Sequence, residues 1–151
     1  MRRTVLLARH GETDWNRQHR WQGHTDIPLN DAGREQARRL ASCLRDLGLR
    51  RVHASDLSRA RETAEIVART LEIPFFGVDP ALRERGFGVF EGLTRDECET
   101  MQSEHWARYK ADNRNLPPGS EPQELVIARM ADGVRRVAHA GPDHDETVLV
   151  V

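Results

Sequence analysis

Cysteine is nearly absent. Cys43 and Cys98 are the two cysteines in 151 residues, with neither C-x-x-C spacing nor clustered histidines beside them. That excludes a disulfide framework or a zinc site and suits two unpaired thiols in a reducing, cytoplasmic setting. Long apolar runs are missing too. No stretch approaches the ~20 residues of a membrane span, and the few apolar residues before Arg9 fall short of the ~7–15 of a secretory leader. Charge of one sign is also lacking: the net charge is −1, without the basic excess that marks nucleic-acid binding. No P-loop occurs, and Gly86-Phe87-Gly88 lacks the third glycine and the preceding strand of a dinucleotide site. His19 and His24 have no H-E-x-x-H partner, so neither a metal nor a cofactor is expected. Repeats and low-complexity tracts are absent as well.

What is present suits one domain. With 38% hydrophobic and 31% charged residues, a chain of this length buries roughly 68–70% of its unfolded surface. A homodimer is compatible with this composition. The organising stretch is Thr4 to Asn16, T-V-L-L-A-R-H-G-E-T-D-W-N. Thr4 to Ala8 is long enough for one buried strand and too short for a helix. It would deliver Arg9 and His10 to its carboxyl end, where open α/β sheets bind ligands. Gly11 would let a ligand approach the backbone closely.

A polar loop, Arg17 to Pro28, follows, with Trp15 and Trp21 as either a substrate platform or packing onto the body. Asn30 reads as the N-cap of a helix from Asp31 to about Leu47, closed by Gly48. Arg51 to Ala54 is a short strand. Ser58 is the expected cap of a helix from Arg59 to Leu71, with Ala60, Ala64, Val67, Ala68 and Leu71 at helical spacing. Arg59 then lies beside the positive end of the helix dipole, locally unfavourable by ~0.3–1 kcal/mol unless an anion sits between them. Pro74 to Val78 is a further strand, and Leu82 to Gly92 a loop. Thr94 and Glu97 form a capping box for a polar helix to about Lys110, expected to be a mobile cover rather than core. Asn113 to Pro122 is another loop. A helix over Glu121 to Ala138 offers Leu125, Ala128, Val134 and Val137 for packing, and Glu146 to Val151 is a buried strand. Strands alternating with helices predict a three-layer α/β/α sandwich around a mostly parallel sheet.

Arg9 and Arg59, from separate elements, have the planar forks that pair with phosphoryl oxygens, and Arg61 also sits in the first turn of the second element. His10 has a lone pair available near neutral pH and is either a nucleophile or a structural histidine. Glu84 stands between Arg83 and Arg85, which would lower its pKa unless they point elsewhere. Glu12 and Glu91 are the runners-up for the acid and read rather as hydrogen-bonders within loops.

Arg9-His10-Gly11 and the residues to Asn16, with Gln22 to Asn30, Ala54 to Ala64 (A-S-D-L-S-R-A-R-E-T-A) and Leu82 to Gly92 (L-R-E-R-G-F-G-V-F-E-G), resemble the histidine phosphatase superfamily with its phosphoglycerate mutase-like fold. The resemblance implies a phosphohistidine intermediate at His10 and a proton donor at Glu84. It also implies phosphate contacts from Arg9, Asn16, Arg59, Gln22 and Gly23. It further implies a second histidine in a turn after a late strand. Glu146 to Val151 resembles that strand, and none of His19, His24, His53, His105, His139 or His144 occupies the position. The expectation is therefore a record lacking its C-terminal part.

The leading expectation is a metal-independent phosphatase acting on a small phosphorylated metabolite. The glycine-rich loop and the short Trp106 to Pro122 region favour the phosphatase branch over a cofactor-dependent phosphoglycerate mutase. A noncatalytic phosphate-binding protein is the alternative should the chain end at Val151. Specificity is assigned to the loops at Trp15 to Pro28 and Arg95 to Pro122.

Overall fold

The computed structural model describes residues 3–140 and 145–151. Four strands, β1 (Arg3–Leu7), β2 (Leu49–Ala54), β3 (Phe75–Val78) and β4 (Glu146–Val150), form one sheet in the order β1-β4-β2-β3. Every pairing is parallel. The last strand in sequence therefore lies between the first and second. Its side chains alternate: Leu149 faces a core with Val52, Ala64 and Val67, while Val148 and Val150 face one with Leu82 and Val137. The first core lies under α2 (Asp31–Leu44) and α3 (Ser58–Leu71), the second under α6 (Gln123–His139). Helices thus cover both faces, the expected three-layer α/β architecture.

Two ionic residues anchor α6. Arg51 pairs with Glu146 at 2.6 Å with almost no side-chain exposure, and donates to the Val137 carbonyl at 3.1 Å. Arg3 donates to the next carbonyl, Ala138. Cations at the carboxyl end of a helix meet its negative pole. Losing one partner of such a buried pair costs ~3–5 kcal/mol.

Asn30 caps α2 through the Gly33 amide, but the helix ends at Leu44 and a 3-10 turn over Arg45–Leu47 leads to Gly48 at φ +65. Ser58 does not cap α3. It is the first helical residue, and Asp26 supplies the missing acceptor by taking both the Ser58 amide and hydroxyl at 2.7 Å. The helix expected to start at Thr94 has its capping box but breaks at Gln102, giving α4 (Arg95–Met101) and α5 (Ser103–Ala111). This cover has a core of its own: Cys98 and Trp106 are buried with Phe90, against Trp21, Phe87 and Tyr109. Such a cluster joins rings from three chain segments, so periodicity within one helix could not reveal it. Leu125 and Ala128 do not pack; Leu125 is 59% exposed. α6 docks through its second half, where Gly133 lets Leu82 approach. The short α1 (Asp14–Arg17) carries its own capping box between Thr13 and Asn16. Both cysteines are free, and among the described residues no helix is long and apolar enough to cross a membrane.

Candidate active site

β1 ends at Leu7, and the Ala8 amide still donates to Val150 at 2.9 Å, so Arg9 and His10 emerge at the carboxyl edge of the sheet. Gly11 also has a structural reason beside the one expected. A Cβ there would lie 2.3 Å from the Gly33 carbonyl, and one at Gly33 would lie 2.1 Å from the Glu12 carbonyl. The two glycines let the loop and the start of α2 touch backbone to backbone, so α2 is a neighbour that itself requires a glycine at position 11.

His10 Nδ1 lies 2.7 Å from the Gly11 carbonyl. A carbonyl only accepts, so Nδ1 carries the proton and the Nε2 lone pair is left free. Burial lowers the imidazole pKa to about 4, helped by the nearby Arg59 and Arg9 cations and opposed by the Gly11 hydrogen bond. The ring is neutral at pH 7. The Gly11 amide donates to Thr63 Oγ1 at 3.0 Å, and that hydroxyl donates to the Arg59 carbonyl at 2.8 Å. One threonine of α3 therefore ties the His10 loop to the helix that presents Arg59.

Arg59 is 1% exposed. Its guanidinium donates to the Gly23 carbonyl at 2.7 Å and the Thr25 carbonyl at 2.9 Å. Gly23 sits at φ +56, where a Cβ would collide with the Glu91 carboxylate. Glu91 holds this loop by accepting from the His24 and Phe87 amides and from the Thr25 amide and hydroxyl. It is the loop hydrogen-bonder expected. These bonds hold its pKa below the usual range despite partial burial. Glu12 likewise accepts from Asn30 within the loop.

Glu84 reaches within 3.4 Å of Arg59. Its side chain remains 42% exposed in the open cleft, yet the surrounding walls strip water from the carboxyl and raise its pKa, against the pull of Arg59 and Arg9. The flanking arginines point elsewhere. Arg83 pairs with Asp56, and Arg85 donates to the Glu121 carbonyl.

Arg9, His10, Arg59 and Glu84 line one cavity of about 290 Å³. Arg9, His10 and Glu84 also line an adjoining cleft of about 1010 Å³, together with Asn16 and Gln22, that extends to Arg95. Asn16 uses its carbonyl oxygen to accept from Thr13, which leaves its amide donors for the cleft. Gln22 is buried and accepts from Thr13 Oγ1 at 2.9 Å. Gly23 lines neither space; its carbonyl holds Arg59. Trp21 packs in the aromatic cluster and also borders the cleft, whereas Trp15 contacts the loop at Gly92. Of the other histidines, His19 (φ +56) borders the cleft, His24 bonds the Glu84 carbonyl and His53 is buried in β2. His144 lies outside the described residues. Among the described residues no group of three or more His, Cys, Asp or Glu side chains is placed to share an ion.

Sequence reasoning passed over Thr63, Asp26 and Arg129. Thr63 had a signal: it lies on the buried stripe of α3 between Ala60 and Ala64, where a hydroxyl needs a partner. Asp26 and Arg129 act across long separations and had none.

The chain is 35% identical over 150 residues to phosphoglycerate mutase-like protein 4 of Arabidopsis thaliana, covering 97% of this chain and 64% of that one. It is 37% identical over 147 residues to the uncharacterized phosphatase PhoE of Bacillus subtilis, covering 97% and 69%. Among solved structures, YhfR of Bacillus stearothermophilus superposes with a TM-score of 0.86 at 34% identity, covering 99% of this chain and 74% of that one. The chain thus spans about two thirds of the length of these curated relatives. Residues 5–151 match the family model of the histidine phosphatase superfamily, branch 1, and with the fold and the Arg9-His10-Gly11 site in that register the chain belongs to this superfamily.

Proposed function

We propose that the protein hydrolyses small phosphomonoesters through a phosphohistidine at His10. The observation that carries this is the tautomer: the Gly11 carbonyl takes the Nδ1 proton, so a neutral Nε2 lone pair stands in a cavity shared with two guanidinium groups. Arg9 and Arg59 would neutralise the dianionic phosphoryl group, and the Asn16 amide would add a donor without charge. Nε2 attacks phosphorus as the ester P–O bond breaks. Glu84, its pKa raised by desolvation, in its protonated form gives its proton to the departing oxygen, which leaves as an alcohol. The resulting carboxylate then takes a proton from a water molecule whose oxygen attacks phosphorus. The P–N bond breaks, inorganic phosphate leaves, and His10 and Glu84 return to their starting states.

A phosphatase reading agrees with the name of the Bacillus relative, and the name of the Arabidopsis relative favours a second reading, phosphoglycerate mutase. In a mutase the phosphoryl group on His10 returns to a sugar-acid instead of to water. Brief mixing with a phosphomonoester and quenching in base should trap acid-labile, base-stable phosphate on His10, absent in His10→Ala. Lack of that label with retained phosphate affinity would leave a binding protein only. Bisphosphoglycerate-primed interconversion faster than phosphate release would establish the mutase.

A further inference from the structure

Glu84 lies in a segment without regular structure, between a 3-10 turn at Pro80–Leu82 and another at Gly88–Phe90. A proton donor must nevertheless hold its direction to within about 0.5 Å of the productive geometry. One guanidinium supplies that constraint. Arg129 of α6 donates from Nη1 to the Ala81 carbonyl at 2.8 Å and the Arg83 carbonyl at 2.6 Å, and from Nη2 to the Glu84 carbonyl at 2.9 Å. Its Nε and second Nη2 proton bind the Glu121 carboxylate, each at 2.6 Å. All five N–H groups of the side chain are used. Glu121 completes the brace: its amide donates to the Gly86 carbonyl at 2.9 Å and its carbonyl accepts from Arg85. His24 adds a second donor to the Glu84 carbonyl at 2.9 Å.

We propose that Arg129 is a positioning residue for proton donation by Glu84, fixing the 81–84 backbone with a five-donor fork while never touching substrate. The inference rests on the reading of Glu84 as the acid. Only a planar fork reaches three carbonyls and a carboxylate at once; the ammonium of a lysine is a single point with three donors. Arg129→Lys therefore keeps the charge and loses the geometry.

The test compares two substrates: glycerol phosphate, whose alkoxide needs a proton, and 4-nitrophenyl phosphate, whose leaving oxyanion departs unaided. Arg129→Lys and Arg129→Ala should lower the rate of His10 phosphorylation by glycerol phosphate by ~10–10²-fold, part of the ~10²–10⁴ that a general acid supplies, and leave the initial burst of 4-nitrophenolate little changed, the later hydrolysis of the phosphohistidine being common to both substrates. Combined with Glu84→Gln, they should lower it no further than Glu84→Gln alone, because both remove one function. Equal loss on both substrates, or additive losses in the double variants, would overturn the positioning role. Glu84→Gln that left glycerol phosphate turnover at the wild-type level would instead overturn the assignment of the acid. A second readout needs no turnover. In ¹³C-glutamate-labelled protein the Glu84 carboxyl, faced by Arg9, Arg59 and Glu91, should titrate above the ordinary range in the wild type and return toward it in Arg129→Lys. The same titration in both proteins would refute the proposal.

Discussion

Thr63→Val isolates the hydroxyl that joins the His10 loop to the helix carrying Arg59. Thr63 is 1% exposed, and its Oγ1 accepts the Gly11 amide at 3.0 Å. Valine keeps the branched shape and removes the oxygen. The Arg59 carbonyl loses little, since a threonine bond to the carbonyl four residues back only supplements the bond of the helix itself. The Gly11 amide, however, is left buried without an acceptor, a cost of ~1–3 kcal/mol. At ~2–4 °C per kcal/mol for a domain of this size, Tm should fall by roughly 2–12 °C. Activity should fall as well, because the residue held by Thr63 at its amide is the one that orients His10 through its carbonyl. A displacement of about 1 Å at His10 is worth up to ~10²-fold in rate. Thermal unfolding followed by circular dichroism, with phosphate release on the same samples, measures both. Thr63→Ser restores the acceptor and should recover most of the turnover. A valine variant that melts and turns over like the wild type would refute the link, as would a serine variant no better than valine.

kcat/KM should rise as pH increases through about 4, where His10 loses its proton, and fall again as Glu84 deprotonates through its raised pKa. Glu84→Gln should remove the falling limb. Stability should fall in acid as well: His10 and His53 are both depressed to about 4 from 6.5, so the unfolded chain binds protons first. Their contribution is complete above pH 6.5 and is lost as pH falls toward and through 4, which urea unfolding at a series of pH values will show. Gly33→Ala should destabilise by ~1–3 kcal/mol through overpacking, the reverse of the usual gain in a helix, because its Cβ would meet the Glu12 carbonyl at 2.1 Å; denaturant midpoints decide the sign. Glu91→Gln replaces one of two oxygens that hold the loop beneath Arg59. It should raise KM by ~10–10²-fold, the worth of one charged hydrogen bond, with the unfolding transition little changed.

Those parts of the site that depend on local chain direction were legible in the sequence. His10 could be placed because a strand of five residues ends just before it, and Arg59 because it opens a helix. Strand alternation and helix spacing also predicted both layers on the sheet. What escaped depends on contacts across long separations. Whether Arg83 and Arg85 depress Glu84 is decided by Asp56 and Glu121, which draw their guanidinium groups away. The cap of α3 comes from Asp26, 32 residues earlier, and not from the adjacent Ser58. Gly11 was correctly marked as a place without room for a side chain, and another backbone is a neighbour that needs the room. Local pattern registers such constraints without naming the partner.

The pairing of the arginines explains why these two, among the 23 basic residues, are suited to an anion. Arg83, Arg20 and Arg129 are held by the carboxylates of Asp56, Glu97 and Glu121, so their charge is already neutralised where it fixes a loop. Arg59 is fixed instead by the carbonyls of Gly23 and Thr25, which orient the fork and leave its positive charge uncompensated. Arg9 makes no hydrogen bond within the described residues. Asp26 and Glu91 act on Arg59 from further off, and among the described residues the carboxylate within ion-pair distance is Glu84, at 3.4 Å, a distance that marks a weak contact which phosphoryl oxygens can replace. Replacement acts on the acid as well. Arg59 and Arg9 are the two cations that hold the Glu84 pKa down; once a dianion neutralises them, desolvation is left unopposed and the carboxyl binds its proton more tightly. On the proposed reading, binding of the phosphomonoester and protonation of Glu84 would therefore reinforce each other, and the acid would be charged for transfer by the arrival of the group it protonates.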